Sequence, residues 1–144
     1  PGSNYRIGVD YRYDNIIGLW IEGNTITTSL KDLSINRLDL VTIGIDYTLP
    51  VYNGVLLLSE TMHSAIVSED INILNQTMSA FMVSIPIGMF NDISLISLYE
   101  WDRSDSFNLF RWTTTFDYFK MSVNYSVNPD QIGDTAQLMF IYNH

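Results

Sequence analysis

The chain has 144 residues, enough for one domain with a sizeable core. Its net charge is −9 with only seven lysine and arginine residues, so no basic track is available to follow the phosphates of a nucleic acid. The absence of cysteine excludes disulfides and thiolate metal sites, and no apolar run approaches the roughly 18 to 20 residues of a membrane-spanning helix.

The first predicted element is a β-strand with two unlike faces, from Tyr5 to Tyr13. Its odd positions are tyrosine, isoleucine and valine, and its even positions are arginine, glycine and aspartate. Successive side chains of a strand point to opposite faces, so one face is apolar and the other is largely charged. The same alternation returns without exception from Phe119 to Val127. The chain is therefore predicted to be a set of two-faced strands.

Alternating segments separated by turn-forming or polar residues continue through the rest of the chain. The predicted strands are about 5–13, 16–29, 38–49, 55–67, 77–88, 93–101, 107–118, 119–127 and 135–144. Short turns are expected at 14–15, 50–54, 89–92 and 102–106, and longer connections at 30–37, 68–76 and 128–134. The fourth strand begins with an apolar run and ends with a mixed segment, so alternation does not determine its facing.

Which face meets solvent decides the class of protein. In a soluble β-sandwich or a lipocalin-like barrel the apolar face is a core, whereas in a transmembrane barrel it faces lipid. Three features favour the transmembrane barrel: long strands, lysine only at Lys31 and Lys120, and aromatic residues near strand ends. Those aromatic residues are Tyr5, Tyr11, Tyr13, Tyr47, Tyr99, Trp101, Phe116, Tyr118 and Tyr142.

The pattern resembles that of bacterial outer-membrane β-barrel proteins. The resemblance rests on the two-residue period, the alternation of short turns with longer connections, and a last strand with Ala136, Leu138, Phe140 and Tyr142 on one face. The chain departs from the class by ending in Asn143-His144 rather than on the aromatic residue. The resemblance implies that the short turns at 14–15, 50–54 and 89–92 are periplasmic and that the long connections at 30–37 and 68–76 are extracellular.

The strand count leaves two alternatives open. Single-chain barrels of this class normally have an even number of strands, and about nine are predicted here. Either the barrel has eight strands, or the chain is the C-terminal part of a larger barrel. Residues 1–144 are accordingly expected to be a single β-barrel domain or a barrel segment.

On the barrel interpretation, the charged residues of the polar face line the lumen. Because both signs are present, neighbouring strands could form cross-strand ion pairs. The functional interpretation is that these charged residues form a channel constriction. The simpler interpretation, which is favoured, is that they belong to a polar interior whose charges are paired, or to a face exposed to solvent. The predicted lumen-lining residues are Arg6, Asp10, Arg12, Glu22, Asp46, Glu100, Arg111, Asp117 and Lys120.

Ser59, Glu60 and His63 invite comparison with a hydrolase, but their spacing argues against it. Ser59 and His63 would lie roughly 13 Å apart on one strand, too far for a nucleophile and its base. Two histidines, His63 and His144, do not form a metal signature. We therefore expect no catalytic residues, no metal and no cofactor.

Together these features predict an all-β protein, an antiparallel up-and-down transmembrane β-barrel. The expected function is non-enzymatic, a porin-like channel or a structural barrel in the bacterial outer membrane. Its expected partners are the lipid bilayer and the remainder of a larger barrel or a partner chain, with no nucleic acid. The alternative is a secreted or periplasmic soluble all-β domain that binds a ligand or another protein.

Overall fold

The computed structural model describes residues 3–29, 35–68, 74–129 and 133–142. Nine β-strands account for nearly all of these residues, which contain no helix long and apolar enough to cross a membrane. The strands are β1 Ser3–Asp14, β2 Ile17–Ser29, β3 Ile35–Leu49, β4 Val55–Ser68, β5 Leu74–Ile87, β6 Asn91–Glu100, β7 Asp105–Thr115, β8 Phe119–Val127 and β9 Thr135–Tyr142.

All nine strands form one antiparallel sheet in which each strand pairs with the next along the chain. The predicted all-β, up-and-down fold is confirmed. Within the described residues β1 and β9 are the two edges and do not pair with each other, so the sheet is open. The closure expected of a complete barrel is thus not observed in this part of the chain, and this topology is common to barrels and sandwiches.

Several strand boundaries differ from those predicted. The last pair of β1 and β2 is Asp14 with Gly18, and the chain bends at Asn15 and Ile16, one residue later than the predicted turn at Asp14 and Asn15. β3 and β5 begin earlier than expected because polar residues, among them Arg37 and Gln76, pair in the sheet. Polar side chains do not prevent backbone pairing, so polarity alone overestimated the length of the connections. Residues 30–34, 69–73 and 130–132 of the predicted connections lie outside the described residues.

The other short turns also lie close to their predicted positions. Gly88, with φ of 64°, follows β5, and Gly54, with φ of 93°, precedes β4. Glycine suits both positions because it adopts positive φ without steric cost. Residues 116–118 form a turn between β7 and β8 rather than the end of a strand, and the Phe116 amide donates to the Phe119 carbonyl across it.

The register of the sheet assigns every strand residue to one of two faces, because directly paired residues lie on the same face. The first, here called the apolar face, carries Val9, Leu19, Ile43, Val83, Leu95, Phe110, Val123 and Leu138. The second, here called the mixed face, carries Arg12, Trp20, Asp46, Glu60, Met82, Ile96, Arg111 and Asn124.

The apolar face has no second layer packed against it within the described residues. Val55, 8% exposed, is the one hydrophobic residue classed as buried in this part of the chain. In contrast, Val9 is 73% exposed and Ile43 is 57% exposed. The part of the chain that the structure describes therefore encloses no hydrophobic core of its own.

Candidate functional surfaces

The structure places the predicted lumen-lining residues on one face, with one exception. Asp117 lies in the turn between β7 and β8 and belongs to neither face of the sheet, so its assignment to a strand was wrong. The residues found on the mixed face are Arg6, Asp10, Arg12, Glu22, Asp46, Glu100, Arg111 and Lys120. They are spread over six strands, so they do not form a single cluster.

Arg12 is the centre of a local network on β1 to β3. Its Nε lies 2.8 Å from Asp14 Oδ1, and its Nη2 lies 3.5 Å from Asp46 Oδ2. The guanidinium carbon is 5.6 Å from the centroid of the Trp20 ring, within the range of a cation–π interaction. The network connects three strands; Arg12 and Asp14 are exposed, whereas Trp20 and Asp46 are half-buried.

Two glycines provide the space for this network. Trp20 lies over Gly44, where the Cβ of any other residue would overlap the indole ring. Asp46 lies over Gly18, where an added Cβ would be 2.6 Å from the carboxylate. Both contacts are closer than van der Waals packing permits. Trp20 thus fills the gap beside Gly44.

Replacing Arg12 by glutamine is expected to lower the denaturation midpoint only slightly at low salt. The pair of Arg12 with Asp14 is solvent-exposed, and its contact with the half-buried Asp46 is long at 3.5 Å, so both ion pairs contribute little. The difference from the wild type should disappear at about 1 M salt, where the Debye length is about 3 Å. Urea unfolding at low and at high salt measures the difference in denaturation midpoint between the variant and the wild type. Arg103→Gln, which removes an ion pair outside the network, is the matched control. A difference that persists at high salt would contradict this prediction.

The mixed face is acidic. The strand residues of this face include eight acidic and four basic side chains in the part of the chain that the structure describes. The acidic residues are Asp10, Asp14, Glu22, Asp46, Glu60, Asp92, Glu100 and Asp105, and the basic residues are Arg6, Arg12, Arg111 and Lys120. Asp10 and Glu22 are directly opposite each other across β1 and β2, an arrangement of like charges that costs stability unless a cation is nearby.

The centre of the mixed face is apolar, which the sequence analysis missed. Its half-buried side chains come from β4 to β7 and are here called the methionine patch: Leu58, Met62, Met78, Met82, Ile96, Leu98 and Leu109. The signal was present in the sequence, since β5 and β6 have apolar residues at both odd and even positions. It was missed because the facing of the fourth strand was not determined.

Glu60 lies within the methionine patch. It is half-buried, between Leu58 and Met62 on β4, and pairs with Gly44 on one side and Ala80 on the other. It forms no hydrogen bond or ion pair with any residue that the structure describes. Glu60 is therefore a carboxylate with two small neighbours and no counter-ion among the described side chains.

The residues that invited comparison with a hydrolase lie on opposite faces. Ser59 and His63 are on the apolar face, whereas Glu60 is on the mixed face. His63 Nδ1 is 2.9 Å from Thr77 Oγ1 on the neighbouring strand. These three residues therefore do not form a nucleophile, a base and an acid in contact with one another. No group of three or more histidine, aspartate or glutamate residues that could hold a metal ion occurs among the described residues.

Aromatic side chains cluster at both ends of the strands. At the end of the sheet that carries the turns at 88–90 and 116–118, the ring centroids of Phe116 and Phe119 are 4.4 Å apart, and those of Phe90 and Phe116 are 6.0 Å apart. At the other end, Tyr99 and Trp101 form an edge-to-face pair with centroids 5.0 Å apart. The aromatic pairs thus lie beyond the aliphatic middle of the sheet in both directions.

The chain matches no family model, no curated protein and no solved structure. Its function is accordingly inferred from the two faces of the sheet.

Proposed function

We propose that the sheet is the wall of an outer-membrane β-barrel with a porin-like channel or a structural role and no enzymatic activity. The apolar face would contact lipid and the mixed face would line the interior. The observation that carries this proposal is the exposure of the apolar face, on which Val9 and Ile43 are more than half exposed.

The energetic argument concerns the cost of leaving this face in water. Burying a valine, leucine or isoleucine side chain gains about 1.5–3 kcal/mol, and the gain is forfeited at each exposed position. Monomeric soluble proteins rarely expose contiguous apolar patches larger than a few hundred Å². Lipid chains would cover the face without requiring a second protein layer.

Strand length and aromatic placement support the same function. The strands contain 8 to 15 residues, and a tilted transmembrane strand needs about 9–11. The aromatic pairs at the two strand ends correspond to the girdles that border the lipid-facing band of such barrels.

Both edges of the sheet need partners under this proposal. Each unsatisfied backbone group costs several kcal/mol in lipid, so β1 and β9 would pair with further strands, from the remainder of a larger barrel or from a partner chain. Closure would leave no free edge for aggregation.

Cysteine labelling in lipid vesicles tests this proposal on a background free of native cysteine. Matched neighbours on opposite faces are Val9→Cys with Asp10→Cys, Ile43→Cys with Thr42→Cys, and Leu138→Cys with Gln137→Cys. We expect the apolar-face thiols to resist a water-soluble maleimide, and fluorophores placed there to be quenched by lipid-borne probes. The mixed-face thiols should react and escape lipid quenching.

A different labelling pattern would overturn the proposal. If the apolar-face positions are protected from both water and lipid probes in a protein that stays monodisperse without detergent, the chain is a soluble all-β ligand-binding or interaction domain. In that case a second layer of protein covers the apolar face.

A further inference from the structure

We propose that the mixed face binds a cationic amphiphile, with its ammonium group at Glu60 and its alkyl chain along the methionine patch. This inference rests on the proposed function, because the mixed face must be the interior that solutes enter. It identifies the class of solute that this interior would accept.

The first argument is the apolar character of the patch. A surface that contacts only water and small ions has no need of Leu58, Met82 and Ile96 side by side on β4, β5 and β6. The patch spans four adjacent strands about 4.8 Å apart, roughly 14 Å across, which is long enough for an alkyl chain of about eight carbons. Methionine side chains are flexible and polarizable, so they adapt to apolar ligands of different shape.

The second argument is the unpartnered carboxylate. Glu60 is half-buried between apolar side chains of its own strand, where a charge without a partner is costly. Its cross-strand neighbours, Gly44 and Ala80, have little or no side chain, and the indole of Trp20 occupies the space above Gly44. The space above Ala80 therefore offers the approach to the carboxylate for a ligand.

The third argument is charge complementarity. The acidic side chains of this face outnumber the basic ones by two to one within the described strands, so the face attracts cations and repels anions. A neutral apolar ligand would leave Glu60 without a counter-ion. An ammonium group attached to an alkyl chain satisfies both the carboxylate and the patch.

Calorimetric titration of the protein in lipid vesicles tests the proposal, with protein-free vesicles as the blank. The probes are octylammonium, octanoate and octanol, which share chain length and differ in charge. We expect saturable binding of octylammonium and none of octanoate. Glu60→Gln should weaken octylammonium binding by at least about tenfold. Glu22→Gln removes a carboxylate of the same face that lies outside the patch and contributes only to its general negative charge, so it should weaken binding far less.

Three results would overturn the proposal: unchanged octylammonium binding in Glu60→Gln, octanoate binding as tight as octylammonium, or no saturable octylammonium binding. In the last case a protein segment covers the patch. Lipid quenching of a fluorophore at Val9→Cys, measured in the same vesicles, distinguishes failure of the ligand proposal from failure of the membrane-barrel proposal. Lipid quenching at Val9 with no octylammonium binding rejects the ligand alone, whereas loss of lipid quenching rejects the membrane assignment.

Discussion

Replacing Ile43 by lysine is expected to lower the free energy of unfolding in lipid vesicles by about 2–4 kcal/mol, the cost of a cationic side chain at the centre of the lipid-facing surface of a barrel. Ile43 lies near the middle of β3 on the apolar face and is 57% exposed in the isolated chain. An exposed side chain in water would tolerate this change with an effect within about 0.5 kcal/mol. Reversible urea unfolding followed by tryptophan fluorescence measures the difference.

Two matched variants give this prediction its specificity. Ile17→Lys changes the same residue type on the same face at the short-turn end of β2, where the cost should fall to about 0–1 kcal/mol. Thr42→Lys lies beside Ile43 on the mixed face and directly opposite Glu22, so we expect it to be nearly neutral. Equal costs at positions 17 and 43 would contradict lipid contact, because a bilayer makes the penalty depend on depth.

The sequence predicted those strands in which the two faces differ in polarity. Tyr5 to Tyr13 and Phe119 to Val127 alternate strictly, and the structure pairs both segments in the sheet. β4 could not be oriented in this way because Leu56, Leu57 and Leu58 are apolar at odd and even positions alike. Its orientation follows from register, with Leu57 opposite Tyr47 and Leu58 opposite Asp46. Register depends on pairing between strands, which alternation within one strand does not determine.

Alternation within a strand was also insufficient to predict the Arg12 network and the position of Asp117. Arg12 and Asp46 were both assigned to the polar face, but their approach depends on Gly18 of the intervening strand β2, which leaves room for the Asp46 carboxylate, and on Gly44 of β3, which leaves room for the Trp20 indole beside Arg12. Asp117 was placed in a strand because Phe116 and Tyr118 continue the alternation, whereas a turn closes there through the Phe116 amide. Alternation describes side-chain chemistry and does not show where backbone pairing ends.

The second large effect is expected at Gly44. Replacing it by alanine should lower the free energy of unfolding by about 1–3 kcal/mol, the usual cost of overpacking a well-filled site. The added methyl group would overlap the Trp20 indole, which would have to leave its position beside Arg12. Gly23→Ala is the matched control, because its Cβ would meet only the Val9 carbonyl oxygen, at 4.0 Å. Urea unfolding in lipid vesicles compares the two variants.

A double-mutant cycle attributes the effect to this contact. Trp20→Ala removes the indole, so adding Gly44→Ala to it should cost much less than Gly44→Ala costs alone, with a coupling energy of about 0.5–3 kcal/mol. If the two effects simply add, the indole does not occupy the space above Gly44, the residue that pairs with Glu60. The cycle therefore also tests the geometry on which the approach of a cation to Glu60 depends: with the indole over Gly44, the space above Ala80 is the open side of the carboxylate.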